Sequence, residues 1–353
     1  MLRRVFVACV VVLAFVAATS SASSTTISPC RQVSNPTWSP DGTQIAYYGT
    51  RWPPPAKAHR SPNDILQALC TANADGTNAQ PLRYTVCSEK CSDPPYQIDW
   101  VRSGKLVYLV DGDFYGIAPG QKPKRFATVN TSSFATDPAG DRLAGGFGFP
   151  SCLTCGGPVT VLDVPSGHVV GKVGGKKFDN IYPSLSPDGG QVVFERDASD
   201  DSGRTFGIWT AKASGKGLRR LARKGFQPLW SPAAGGKIAF RADVGNTTML
   251  RLVSPNGRGV RTLAPSGVAD VFGWSPDGKY IAYETGSGRL TVVDVATGKV
   301  RSLLKLAYAP TAAWSPDSSG LVANSVPKSQ RCWSTWRVPV DGSKPTLISS
   351  CTR

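Results

Sequence analysis

Short runs of alternating apolar and polar residues follow one another along the chain, and turn residues separate them. The stretch 270–304 contains four such runs, at 270–274, 279–284, 289–295 and 299–304. Alternation over four to eight residues is typical of half-buried β-strands. This stretch therefore predicts a unit of four short antiparallel strands joined by tight turns.

The turn between the first two runs recurs through the chain. Trp-Ser-Pro-Asp-Gly stands at 38–42 and 274–278, with looser copies at 185–189, 230–232 and 314–317. Proline presets φ at the second position of a type I turn, and glycine suits the fourth. The repeated Ser and Asp are therefore expected to form turns rather than a catalytic pair, and the Trp to fill the wedge between neighbouring units.

The repeat predicts an all-β protein, a β-propeller of four-stranded antiparallel blades. Aligned units are separated by 36–62 residues, and a period in the forties with four strands per unit marks a propeller blade. Seven units fit between residues 35 and 351, whereas six would require discarding the unit at 97–129 or at 134–173. Seven blades are favoured over six. The alignment positions are Pro40, Arg102, Pro138, Pro187, Pro232, Pro276 and Pro316.

The repeated segments resemble the blades of the TolB-type propeller family, in which WSPDG precedes an IAY-like or IAF-like strand. The matching segments are WSPDGTQIAYY, LSPDGGQVVFE, WSPAAGGKIAF, WSPDGKYIAYE and WSPDSSGLVAN. The resemblance implies the fold but not the activity, because such blades serve many functions. In TolB, the member that gives the family its name, the resemblance implies a further domain before the propeller. Only residues 23–34 separate the predicted signal from the first blade here, so a Tol–Pal role is not implied.

The N-terminal segment has the pattern of a secretion signal. Arg3 and Arg4 precede an apolar run at 5–18, and the small residues Ser20 and Ala22 suit cleavage before residue 23. We expect a signal peptide at 1–22, a linker at 23–34 and a propeller at 35–353. A retained anchor is the alternative to cleavage. The mature protein is expected to be secreted, extracellular or periplasmic.

Eight cysteines lie outside the predicted signal, and an even number in a secreted chain implies disulfides. Cys30 is expected near the end of the last blade, where it competes with Cys332 and Cys351 for the bond that closes the ring, and Cys70 has no assigned partner. Half a zinc site is the alternative for the CxxC at 152–155, but each of the two histidines stands alone. The expected pairs are Cys332–Cys351 across the last hairpin, and the local pairs Cys152–Cys155 and Cys87–Cys91.

Few signs of catalysis or of nucleic-acid binding are present. The chain has no GxSxG, HExxH or Gly-rich phosphate loop. The net charge of +16 is scattered, which indicates a soluble basic surface more than a dedicated binding stripe. We therefore predict no cofactor, no metal site and no catalytic set.

Strand direction places the long irregular segments 51–63, 87–96, 147–158 and 196–204 on one end of the propeller, called here the loop-rich face. The opposite end, with the Ser-Pro-Asp-Gly turns, is called the turn face. Long loops on a rigid scaffold commonly carry binding sites. The expected contacts on the loop-rich face are Trp52, His59, Arg60, Phe147 and Phe149.

The function predicted from these features is a non-catalytic scaffold that binds a protein or peptide through the loop-rich face or the central channel. One alternative is a propeller lyase, lactonase or hydrolase with a site in the channel, where Asp99 and Asp270 are the only acids near the first-strand starts. Another alternative is a basic adhesin for anionic envelope polymers. No nucleic-acid partner and no membrane span after signal cleavage are expected.

Overall fold

The computed structural model describes residues 30, 33–51, 65–87, 97–110, 112–129, 131, 133–147, 156–198, 206–233, 235–305, 311–325 and 334–349. Within these ranges the chain forms seven four-stranded antiparallel sheets and no α-helix. The described residues therefore include no helix that is long and apolar enough to cross a bilayer.

Each sheet is one blade, built from four consecutive strands. Blades one to three contain β1 Ser34–Trp38, β2 Gln44–Arg51, β3 Ile65–Asn73, β4 Gln80–Cys87; β5 Ile98–Trp100, β6 Leu106–Val110, β7 Asp113–Ile117, β8 Lys124–Thr128; and β9 Ser133–Thr136, β10 Arg142–Gly146, β11 Val159–Asp163, β12 Val169–Val173. Blades four and five contain β13 Phe178–Leu185, β14 Gln191–Ala198, β15 Gly207–Lys212, β16 Arg219–Arg223; and β17 Gly225–Trp230, β18 Ile238–Val244, β19 Thr247–Val253, β20 Arg261–Ala264. Blades six and seven contain β21 Val268–Trp274, β22 Tyr280–Thr285, β23 Arg289–Asp294, β24 Val300–Lys305; and β25 Thr311–Trp314, β26 Gly320–Ser325, β27 Ser334–Pro339, β28 Thr346–Ser349.

The seven-bladed propeller is confirmed, and the units at 97–129 and 134–173 both form blades. First strands of neighbouring blades contact one another at β1–β5, β9–β13, β13–β17 and β21–β25, and β1 of blade one contacts β25 of blade seven. The first strands therefore line the central channel. Buried aliphatic and aromatic side chains from adjacent blades fill the space between the sheets.

The Ser-Pro-Asp-Gly turns are held by one repeated set of hydrogen bonds. In blade one the Ser39 hydroxyl donates to Asp41 Oδ1 (2.6 Å), and the Gln44 amide donates to Ser39 Oγ (2.9 Å). The same bonds recur after β13, β21 and β25. Hydrogen bonds from Ser39 and Thr43 hold the pKa of Asp41 below its usual value. These aspartates are therefore turn formers, as the sequence predicts.

Three of the tryptophans that end first strands connect their blade to the one before it. The indole Nε1 of Trp274 donates to the Leu229 carbonyl (3.0 Å), and that of Trp314 donates to the Gly273 carbonyl (3.1 Å). Trp38 makes the equivalent bond to Ala313 of blade seven (3.2 Å), and so it closes the ring. Burial of a large aromatic ring with its N–H satisfied stabilises such a junction.

A disulfide between Cys30 and Cys70 supports the closure between blades one and seven. Both cysteines are buried in a cluster that includes Val322 of blade seven, and Tyr47 donates its hydroxyl to the Cys30 carbonyl (2.9 Å). Cys30 thus pairs within blade one, so the expectation that it competes at the end of the last blade is wrong. Cys91, Cys152, Cys155, Cys332 and Cys351 lie outside the described residues, as does the side chain of Cys87, and their predicted pairs stay predictions.

Candidate functional site

The first strands begin at the loop-rich face, and one residue of each blade occupies an equivalent place there. In each blade it lies three positions before the tryptophan that ends the first strand, or before the residue that takes the place of this tryptophan. A cavity of ≈ 270 Å³ lies at this end of the channel, lined by β1, by β21, by β25 and by residues 97–98. We call these seven equivalent residues the mouth ring. They are Asn35, Gln97, Ser133, Tyr182, Gln227, Val271 and Thr311.

Three residues of the mouth ring have a backbone conformation that side chains rarely adopt. Asn35, Tyr182 and Gln227 have φ angles of 48°, 49° and 48°. Each immediately precedes a proline and lies at an irregularity in the pairing of its strand. Positive φ in a residue other than glycine costs on the order of 1–3 kcal/mol. Such strain clusters at functional sites, so these three positions point to the channel mouth.

Tyr182 presents an aromatic ring to solvent at the mouth. It is 45% exposed and is the one aromatic among the large apolar side chains that are exposed in the described part of the chain. The others are aliphatic and lie away from the first strands, at Val169, Leu218, Val244, Val260, Val300 and Leu347. An exposed tyrosine offers both apolar contact area and a hydroxyl for hydrogen bonding.

A charged network from blades four to six holds Gln227, the mouth-ring residue of blade five. Glu195 of β14 accepts a hydrogen bond from the Gln227 amide (3.0 Å), and Arg241 of β18 donates to Gln227 Oε1 (2.6 Å). Arg241 also lies 3.7 Å from Asp270 of β21, and its guanidinium stacks over the Phe226 ring at 4.7 Å. The strained Gln227 is therefore held from two sides, and three blades are joined at this point.

Glu195 is almost completely buried, with 7% of its surface exposed. Burial raises its pKa from the usual 4.5 to about 7, against the lowering effect of the hydrogen bond from the Gln227 amide. The nearby Asp197 adds to the rise, and Arg241 opposes it. Glu195 therefore changes its protonation near neutral pH.

We expect the Glu195→Gln variant to become more stable than the parent protein as the pH rises. Because the pKa of Glu195 is higher in the folded state than its usual 4.5, its contribution to stability is complete below pH 4.5 and is lost as the pH passes about 7. The difference corresponds to about 3 kcal/mol. Urea unfolding should give similar stabilities for parent and variant at pH 5, and a more stable variant at pH 8.

The matched control for this prediction is Glu284→Gln. Burial also raises the pKa of Glu284, and Asp270 adds to the rise, but its side chain is partly exposed. The pH-dependent gain of this variant should therefore be smaller. Equal gains for the two variants, or none for Glu195→Gln, would contradict the assignment of the titrating group.

Other polar groups near the channel are occupied in joining blades. Asp99 is half-buried and accepts hydrogen bonds from the Trp100 amide (2.9 Å), from the Thr37 hydroxyl (3.4 Å) and from the Thr136 hydroxyl. Burial raises its pKa despite these bonds. The Gln97 side chain bonds both the amide and the carbonyl of Phe134. Of the two acids expected near the channel, only Asp270 keeps a half-exposed side chain.

The predicted contact residues on the loop-rich face fall mostly on segments outside the described ranges. These are Trp52, His59, Arg60 and Phe149. Phe147 is described and buried, and its backbone pairs with Asn180 of β13 at 2.9 and 3.1 Å. The structure therefore positions Phe147 beside the start of β13, while contact of Phe147 with a ligand stays a prediction.

The described residues contain no cluster of three or more His, Cys, Asp or Glu side chains that could hold a metal ion. His168 lies in the turn between β11 and β12 of blade three, on the turn face.

No protein-family model matches the sequence, and no curated protein matches it either. Solved structures do match. An oligogalacturonate lyase in complex with manganese has a TM-score of 0.65 and 12% identity, over 89% of this chain and 91% of that chain. TolB from Acinetobacter baumannii has a TM-score of 0.50 and 17% identity, over 83% and 78%. A puromycin-hydrolysing peptidase of Mycobacterium tuberculosis has a TM-score of 0.60 and 14% identity, over 91% and 54%.

At these levels of identity the likenesses show the fold alone. The chain is a seven-bladed β-propeller, and it has the fold of TolB, as its repeat indicates. The same fold is present in a lyase and in a peptidase, so the function has to be argued from the site itself.

Proposed function

We propose that the protein is a non-catalytic scaffold that binds a peptide segment of a partner protein at the mouth ring. The observation that carries this proposal is Tyr182, which is exposed, strained and placed on a first strand at the channel mouth. A rigid exposed tyrosine is the kind of residue that dominates protein recognition surfaces. Strain that the fold maintains at this position supports a role other than packing.

The surroundings of Tyr182 suit an extended peptide. A peptide backbone presents an N–H donor and a C=O acceptor at each residue, and the hydroxyl of the exposed Tyr182 can bond with either. Arg241 and Asp270 provide one charge of each sign within the same network. The proposal also retains Trp52, His59, Arg60 and Phe149 as further contacts from the loops around the mouth.

We expect replacement of Tyr182 to abolish most of the binding. A phage library of random twelve-residue peptides, selected on the purified protein, supplies the probe. Tyr182→Asn removes the ring but keeps a residue that tolerates positive φ. Binding of the selected peptide should weaken about 30-fold, which corresponds to a loss of about 2 kcal/mol at a hot spot.

Val300→Asn is the matched control, because Val300 is 48% exposed on the outer strand β24. Its affinity for the peptide should equal that of the parent protein. A Tyr182→Asn variant that binds the selected peptides as tightly as Val300→Asn would count against the mouth ring as the binding surface.

A second candidate function is a lyase acting at the mouth with Glu195 as the general base. Two features of Glu195 favour it: its carboxylate contacts the amide of Gln227 in the mouth ring (3.0 Å), and burial raises its pKa to about 7, which is close to the working pH of a general base. One of the similar folds is an oligogalacturonate lyase. Incubation with oligogalacturonate, with and without Mn²⁺, tests this function. Turnover that is lost in Glu195→Gln would establish the lyase, and no turnover would leave the scaffold.

The protein is proposed to act outside the cytoplasm, after removal of a signal at 1–22. The Cys30–Cys70 disulfide supports this location, because disulfides persist in oxidising compartments. N-terminal sequencing of the exported protein should then begin at Ser23, and a start at Met1 would indicate a retained anchor.

A further inference from the structure

A second cavity opens on the turn face, far along the channel axis from the mouth ring. It lies between blades two and three and has a volume of ≈ 570 Å³. Its walls come from 101–107 and 116–126 of blade two and from the turns at 140–141 and 164–166 of blade three. This volume falls in the range of sites that take small organic ligands. We call it the blade 2–3 cleft.

Close contact between two turns forms one side of the cleft. Gly140 of blade three has a φ of 70°, and a Cβ there would lie 2.5 Å from the Arg102 amide nitrogen. Glycine is therefore required for the two turns to meet. The backbones of blades two and three are fixed relative to each other at this point, so the cleft is preformed.

Lysine side chains dominate the charge of the cleft. Lys105, Lys122 and Lys124 line it and are exposed. No ion pair within 4.0 Å involves these three in the described part of the chain, whereas Arg125 is paired with Asp113 at 3.1 Å. The one acid in the lining, Asp141, lies 3.8 Å from Arg102. Three cationic groups thus remain without a carboxylate.

The floor of the cleft is apolar. Val101 and Val107 are buried, and the partly buried Phe126 stacks on Phe114 with a centroid distance of 6.0 Å. Val164 and Pro165 contribute from blade three. Low-dielectric walls beneath charges of one sign concentrate the electric field in a cleft and attract oppositely charged ligands.

We propose that the blade 2–3 cleft binds a small oxyanion carried on a sugar-sized ring. The apolar floor takes a face of the ring, and the lysines take the anionic group. Lysine acts as a compact point charge and suits phosphate as well as carboxylate. Either a sugar phosphate or a uronic acid offers this chemistry. The cleft is on the opposite face from the mouth ring, so this proposal stands apart from peptide binding.

The test is a set of calorimetric titrations with glucose 6-phosphate, glucuronate and glucose, at low salt and at 0.5 M NaCl. We expect binding of at least one anionic sugar and none of glucose, because glucose lacks the oxyanion. Binding should weaken with salt, since salt screens exposed charges. Binding of glucose 6-phosphate alone would identify the ligand group as a phosphate, and binding of glucuronate alone would identify it as a carboxylate. Either result supports the proposed site.

The triple variant Lys105→Gln, Lys122→Gln, Lys124→Gln should bind the anionic sugar at least tenfold more weakly. The matched control, Lys212→Gln, Lys216→Gln, Lys299→Gln, removes the same charge from other positions on the turn face. It should bind as the parent protein does. Absence of binding to both anions, equal binding of glucose, or equal losses in the two triple variants would overturn the proposal. Peptide binding at the mouth should be unchanged in both variants.

Discussion

Replacing Trp274 by alanine should lower the free energy of unfolding by about 3–5 kcal/mol, as expected for truncation of a buried tryptophan. Trp274 is 8% exposed and packs in a cluster shared by blades five and six. Its indole also donates to the Leu229 carbonyl. The alanine variant loses the packing and leaves that carbonyl without this partner. Urea unfolding at neutral pH measures the change.

Two variants separate the parts of this effect. Trp274→Phe keeps most of the apolar ring and loses the hydrogen bond, so it should cost less than the alanine variant, with about 1 kcal/mol from the bond itself. Trp336→Ala removes a tryptophan that is only partly buried on the third strand β27. A loss for Trp274→Ala no larger than for Trp336→Ala would show that the first-strand tryptophans do not hold the blades together.

Removal of the Cys30–Cys70 disulfide should lower the free energy of unfolding by about 4 kcal/mol. The two cysteines are 40 residues apart in sequence. A crosslink that closes a loop of this length reduces the entropy of the unfolded chain by about that amount. The variant Cys30→Ala, Cys70→Ala keeps small apolar side chains in the buried cluster. Thermal and urea unfolding without reductant compare it with the parent protein.

The control for the disulfide is Val33→Ala, which trims the same buried cluster and leaves the crosslink intact. Its loss should be smaller, in line with removal of two methyl groups. The closure of blades one and seven also relies on bonds such as that from Asn324 to the Val33 carbonyl, which both variants retain. A double variant with the stability of the parent protein would contradict a stabilising role for this disulfide.

The blades could be predicted because their information is local and repeated. In blades one, four and six the turn after the first strand contains Ser, Pro, Asp and Gly in succession, and the other blades except blade two keep at least the proline. The tryptophan at the start of the pattern is likewise predictable as a wedge. Blade two, in which Arg102 replaces the proline, still forms because its strands supply buried apolar residues to clusters shared with blades one and three.

The candidate site was less predictable, because its contacts join residues that are distant in sequence. The bond between Glu195 and the Gln227 amide spans 32 residues and depends on the packing of two blades. The disulfide partner of Cys30 lies on the third strand of its blade, which the spacing of cysteines does not reveal. A signal for the strained positions was nevertheless present. Asn35-Pro36, Tyr182-Pro183 and Gln227-Pro228 repeat the same pair at the same place in three blades.

Hydrogen–deuterium exchange of the protein with and without the selected peptide tests the central claim, that the mouth ring is the binding surface. The account predicts slower exchange of backbone amides in the first strands around the mouth, at Phe178–Leu185 and Gly225–Trp230, in the parent protein. The effect should be absent from Tyr182→Asn at the same peptide concentration. Protection confined to the turn face, with these two strands unchanged, would contradict the account.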